Sequence, residues 1–164
     1  MLPVAGEVVI WAGQLNDSIE KKLEQAGWLV CDGRSLSRAK FPELFAAIGS
    51  NYGHGQVSVP ENFFIPDFRA RSPIGANAAA ANGLSARKLG EAVGEEAHTL
   101  TIDEIPSHAH RTPAYTGVDG DHTRRDNGLF GATTGSTESV GGGKAHNNMP
   151  PSLTVNFLIR FRAG

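Results

Sequence analysis

The amino-acid sequence predicts a mainly β fold with short helices, an α+β arrangement, carrying one long Gly/Thr-rich surface excursion. Three observations lead there. Twenty glycines and nine prolines in 164 residues mark many turns and leave little room for long helices. Short apolar runs bounded by Gly or Asp-Gly recur, as at residues 7–11 (E-V-V-I-W) and 28–31 (W-L-V-C). Near the C-terminus Leu153, Val155, Phe157, Ile159 and Phe161 alternate with Thr154, Asn156, Leu158 and Arg160, the cleanest period-two pattern in the chain.

Length and composition set further bounds. A chain of 164 residues has room for one compact domain with its own core. Hydrophobic residues make up 40% and charged residues 20%, ordinary for a soluble globular protein. The net charge of -2 and the lack of any Lys/Arg run argue against nucleic acid or an anionic membrane as the main partner. No stretch approaches the ~20 apolar residues that span a bilayer. The start of the chain lacks the basic and apolar regions of a signal peptide, so synthesis and release in the cytoplasm are expected. Lone Cys31 has no intrachain partner and reads as a small core residue.

Taken in order, residues 7–11 form the first strand. A short amphipathic helix follows over 17–25: Asn16 or Asp17 caps it, Ile19, Leu23 and Ala26 lie at helical spacing, and Gly27 stops it. Residues 28–31 then make a buried strand entering the Asp32-Gly33 turn. Phe41, Leu44, Phe45 and Ile48 recur at i, i+3, i+4 and i+7, with Pro42 early and Gly49 after the last turn, which marks a second short helix. Three phenylalanines surround Pro66, as in an edge strand that turns. The alanines of 77–83 are too few and too poorly bounded for a helix. Thr101 and Glu104 carry the spacing of a capping box, and Pro106 ends the turn it starts. Residues 112–143 are rich in Gly, Thr, Asp, Asn and Ser and bury little, so they form the surface excursion. Residues 153–161 make the closing strand.

In I-P-S-H-A-H the chain leaves Pro106 extended, which places His108 and His110 on one side. Two imidazoles are a partial metal site, and no transition metal is satisfied by two protein ligands. The others come from elsewhere in the chain or from symmetry mates. Six histidines placed at random give such a pair in roughly one sequence in five, so the spacing alone is weak evidence. His98 alternates with Leu100 and reads as a satisfied strand residue. His146, in H-N-N-M, reads as capping a turn before Pro150-Pro151 rather than as a ligand. In D-G-D-H-T-R-R-D the carboxylates lack the glycine and terminal Glu of an EF-hand. With Tyr115, the side chains of Asp119, Asp121, His122, Arg124 and Arg125 suit contact with a polar ligand such as a glycan. Residues 135–144 fail as a phosphate loop, since Glu138 stands at the first glycine and Ala145 at the final Ser/Thr. No hydrolase or protease signature is present.

The order G-W-L-V-C-D-G, S-L-S, F-P-E-L-F-A-A-I-G-S-N-Y-G and F-I-P-D-F-R-A-R-S-P-I-G resembles the phage tail collar domain, found in short tail fibres and in the small proteins called microcystin-dependent. L-G-E-A-V-G-E-E-A-H-T-L-T-I-D-E-I-P-S-H-A-H and the closing G-G-G-K-A-H-N-N-M-P-P-S-L-T-V-N-F-L-I-R are similar to later blocks of the same proteins. Two departures stand out. The helix at 17–25 replaces a brief loop, and Ala70 stands where such proteins usually have Gly, which puts a positive φ at that turn in question.

The resemblance implies a collar domain over 1–75 and a C-terminal tip region over 76–164, within an intertwined homotrimer. It implies that His108 and His110 of three chains ring a transition metal, Fe(II) or Zn(II), on the trimer axis, with no organic cofactor. It further implies a non-enzymatic tail-fibre or tip protein of a phage tail or phage-derived contractile injection system. Such a protein is assembled with other tail or baseplate proteins, exposed outside the cell, and engaged in attachment to a glycan or protein receptor. Two rivals are a purely structural collar or cap, and a small mononuclear metallohydrolase using His108, His110 and His146.

Overall fold

The computed structural model describes residues 4–53, 56, 59–80, 83–108 and 141–164. The described elements are mainly strands, with two short helices, and divide into two compact units, residues 1–94 with 151–164, and residues 95–150.

The first unit is organised by a sheet of three strands in the order β1 (Val8–Trp11), β7 (Asn156–Arg160), β2 (Trp28–Val30), all antiparallel. The register pairs Val8 with Ile159 on one side, and Leu29 with Ile159 on the other. The last strand of the chain thus fills the place between two early ones. The sequence assigns residues 153–161 to the tip region over 76–164, whereas β7 lies in the sheet of the first unit. It is also shorter than its alternating pattern, because Leu153 stays exposed and the ladder begins only at Asn156. Leu158, placed by the alternation on the polar face, is as buried as Ile159. Either face of an antiparallel sheet can be covered by other parts of the chain, and the pattern of one strand does not report what packs on it.

Helix α1 (Asp17–Gln25) begins where Asn16 Oδ1 accepts from the Ile19 amide at 3.0 Å, and ends where Gly27 adopts φ 89° and donates to Glu24 O. None of its residues is buried. It is held by side-chain ties from Lys40 to Glu24, from Arg34 to Glu20 and from Arg162 to the Gln25 carbonyl. Helix α2 (Pro42–Ile48) is the opposite case: Leu44 and Ile48 are buried with Phe41. Strands β3 (Ser35–Ser37) and β4 (Asn62–Phe64) form a second small ladder that delivers Leu36 and Phe63 to the same core. Cys31 is part of that core, and burial with the neighbouring Asp32 and Asp67 carboxylates pushes its thiol up to about 12. Phe157 stacks on Phe68 and Phe161 meets Phe41 edge-on, so residues in and just beyond β7 seal the core from the C-terminal side.

The turn after β4 answers the question raised by Ala70. Arg71 donates its amide to Phe68 O at 3.1 Å, and Ala70 holds φ 54°. The Asp67 carboxylate keeps this turn in place by accepting from the Arg69 amide and from its guanidinium at 2.8 and 2.7 Å. A β-carbon in the left-handed region is strained, so Ala70→Gly is expected to stabilise the protein by about 0.5–1 kcal/mol in urea unfolding. An unchanged or lowered midpoint contradicts the strain. Ile159→Ala, which empties a site closed on both faces, should cost about 2–5 kcal/mol in the same measurement.

Candidate functional site

The second unit contains a two-stranded ladder, β5 (Ala97–His98) with β6 (His146–Asn147), in which His98 faces His146 across the register. Asn148 N–H donating to Glu96 O extends the pairing by one bond. A short 3-10 turn, Ile102–Glu104, follows β5. It forms because the capping box works as its sequence predicts: the Glu104 carboxylate accepts from the Thr101 amide at 2.7 Å and from the Thr101 hydroxyl at 2.8 Å. Ile105 then turns extended, with φ -96° and ψ 128°, and the chain runs through Pro106 to His108.

His98 joins these pieces. Its Nδ1 lies 2.9 Å from Glu95 Oε2, and its Nε2 lies 2.9 and 3.0 Å from the two Glu104 oxygens. A carboxylate only accepts, so both contacts are hydrogen bonds at once only when both ring nitrogens carry protons. Glu95 and then Glu104 accordingly raise the His98 pKa above the usual histidine range. The Thr101 amide, His98 and the Thr101 hydroxyl push Glu104 down to about 2. His146 Nδ1 donates to the His98 carbonyl at 2.7 Å, across the ladder. The turn-capping role expected of His146 falls instead to Asn147, whose Oδ1 accepts from the Met149 amide at 2.8 Å. The Asn-rich setting of His146 points to a turn, and long-range strand pairing leaves no local signal there.

Of the residues assigned to the axial metal or the receptor, only His108 is among those described; His146, the third ligand of the metallohydrolase alternative, is engaged with the His98 carbonyl through Nδ1. His108 is exposed, and its Nδ1 donates to Pro106 O at 3.1 Å. That bond places the proton on Nδ1 and, in the neutral ring, the lone pair on Nε2, the tautomer suited to ligation through Nε2. His110, Tyr115, Asp119, Asp121, His122, Arg124 and Arg125 lie outside the described residues, as does most of the stretch 112–143. Among the described residues no three His, Cys, Asp or Glu side chains converge as a metal set. No helix among them is long and apolar enough to cross a membrane.

Local sequence reading does not mark Glu95, His98 and Glu104 as a unit. Its sequence signal is the spacing of Glu95, His98, Thr101 and Glu104, each three residues from the next. Glu104 had a sufficient explanation in the capping box, which hid its second partner. Replacing His98 by Gln should raise the Glu104 pKa while leaving it below an ordinary glutamate, because the Thr101 amide remains, as read by carbon-detected NMR titration. A Glu104 pKa unmoved by H98Q contradicts the contact.

Two comparisons bear on identity. Residues 6–73 match the family model of the phage tail collar domain, a span that includes β1 through β4 and both helices. The chain is also similar to Protein RhiB of Rhizobium leguminosarum bv. viciae, 32% identical over 148 residues that cover 85% of this chain. The alignment covers 66% of that relative, so the chain spans just under two thirds of its length. The α1 insertion and the alanine in the turn after β4 both fall within residues 6–73, the stretch that is similar to the phage tail collar domain.

Proposed function

We propose that the protein is a tail-fibre or tip component of a phage tail or phage-derived contractile injection system, acting as a homotrimer in attachment to the host cell. The collar domain over 6–73 is the observation that carries this reading, since it is a domain of tail fibres that associate with other tail proteins. The trimer is supported by the state of the second unit. None of its described residues is buried, and Leu100, Ile102, Ile105 and Met149 are exposed. Apolar side chains without a core of their own gain stability when copies cover them.

In this reading the His108 and His110 imidazoles of three chains surround one Fe(II) or Zn(II) on the axis. The Nδ1–H tautomer of His108 fits ligation through Nε2, and six nitrogens suit octahedral coordination. The metal's contribution is to pin three chains together. Residues 112–143 would carry the receptor contacts, with Tyr115, Asp119, Asp121, His122, Arg124 and Arg125 meeting a glycan or protein surface. The protein has no catalytic role in this account, and the completed particle presents it outside the cell.

Sedimentation mass combined with elemental analysis of untagged protein tests the assembly. The expected result is a particle of three chains holding one metal, and loss of that metal in H108A. A metal-free monomer contradicts it, and one metal per chain favours the metallohydrolase. Deletion of 112–143 should abolish adsorption to host cells; unchanged adsorption favours a purely structural collar.

A further inference from the structure

We propose that the cleft between α1 and β2 binds one pyranose ring of a neutral sugar, either free or at the end of a glycan. Every residue involved lies in the first unit, so the site stands apart from residues 112–143, from any metal and from the fibre reading. The cleft has a volume of about 250 Å³, and its lining includes Asp17, Glu20 and Lys21 of α1 and, facing them, Trp28, Val30 and Arg34.

Stability gives no reason for this gap. Helix α1 stands beside β2, yet none of its residues is buried, and Leu23 reaches the cleft wall only half-buried. A void of this kind forfeits the contacts that closer packing would supply. What holds the helix is a set of surface ties, Arg34 to Glu20 at 3.5 Å and Lys40 to Glu24 at 3.2 Å, and such pairs return little stability. They keep α1 in place without closing the space beside it.

The lining selects the ligand. It carries both signs of charge, Asp17, Glu20 and Glu24 against Lys21 and Arg34. A small ion of either sign meets a like charge beside each opposite one, and a wholly apolar ligand strips water from all five groups. A sugar hydroxyl both donates and accepts, so it joins a carboxylate to an ammonium group while each keeps its charge. Glu20 is already paired with Arg34, but the side chains of Asp17 and Lys21 have no hydrogen bond or ion pair among the described residues. These two stand four apart on α1 and so share a face. Trp28 supplies an apolar ring for the C–H face of the sugar, and its indole N–H has no acceptor among the described residues. Arg160, opposite Trp28 in the β2–β7 register, is a positioning residue: its guanidinium carbon lies 4.5 Å from the indole centroid and restrains the ring. The volume falls below the about 300–1,000 Å³ usual for drug-sized ligands, which limits the occupant to a single ring.

Amide and indole NMR spectra of the full chain test this, titrated with the methyl glycosides of glucose, galactose, mannose and N-acetylglucosamine. Each is run beside its free sugar, with glycerol as a small-polyol control. At least one sugar should shift the Trp28 indole and the α1 amides saturably, with glycerol producing no such shift. D17A and K21A change exposed positions, and each should weaken that binding by about two- to tenfold, the worth of one hydrogen bond. Binding of free sugar and methyl glycoside alike means that C1 points outward, as the terminal ring of a glycan requires; binding of the free sugar alone makes a free monosaccharide the ligand. The site is overturned if no sugar shifts the Trp28 indole beyond the effect of glycerol, or if the shifts gather away from the cleft. Unchanged affinity in both D17A and K21A overturns it as well.

Discussion

The structure depends on the insertion of β7 between β1 and β2. This one placement makes the end of the chain part of the first unit: Ile159 is fully buried, Cys31 donates its amide to Phe157 O, and Phe161 donates to Gly27 O. Backbone groups of a central strand have no access to water, so their pairing is obligatory. The chain between the two segments of the first unit is thereby anchored at both ends, whatever its own composition. The strand beyond residues 112–143 is fixed by its own pairing and core contacts, so a long stretch rich in Gly, Thr, Asp, Asn and Ser is tolerated between the two segments.

The second unit is built on a different principle. Its described residues have no buried apolar set, and the contacts that define it are polar: a two-residue ladder, a capping box and a histidine held between two carboxylates. Exposed polar contacts of this kind hold geometry at small net stability.

Much of this was legible in the sequence, for physical reasons that differ by element. Both helices were readable because their start and stop signals are local: Asn16 and Gly27 for α1, Pro42 and Gly49 for α2. The capping box at Thr101 and Glu104 is local in the same way. What the sequence hid is long-range. Leu158 looked solvent-facing because alternation describes one strand without its neighbours. His146 looked like a turn residue because its partner lies in β5, far away in the chain. The His98 cluster was hidden by sufficiency, each member having an adequate local explanation. Ala70 is the reverse case, since a departure noted in sequence marks a strained positive φ in the structure.

Native-state amide exchange across the first unit tests the placement of β7 most directly. The amides of Leu158, Arg160 and Phe161 should exchange as slowly as those of α2 and β4, in one cooperative opening, and the Cys31 amide that donates to Phe157 should share that rate. Exchange of the β7 amides far faster than the rest of the core, with Cys31 following β7, would show a closing strand that is not locked between β1 and β2.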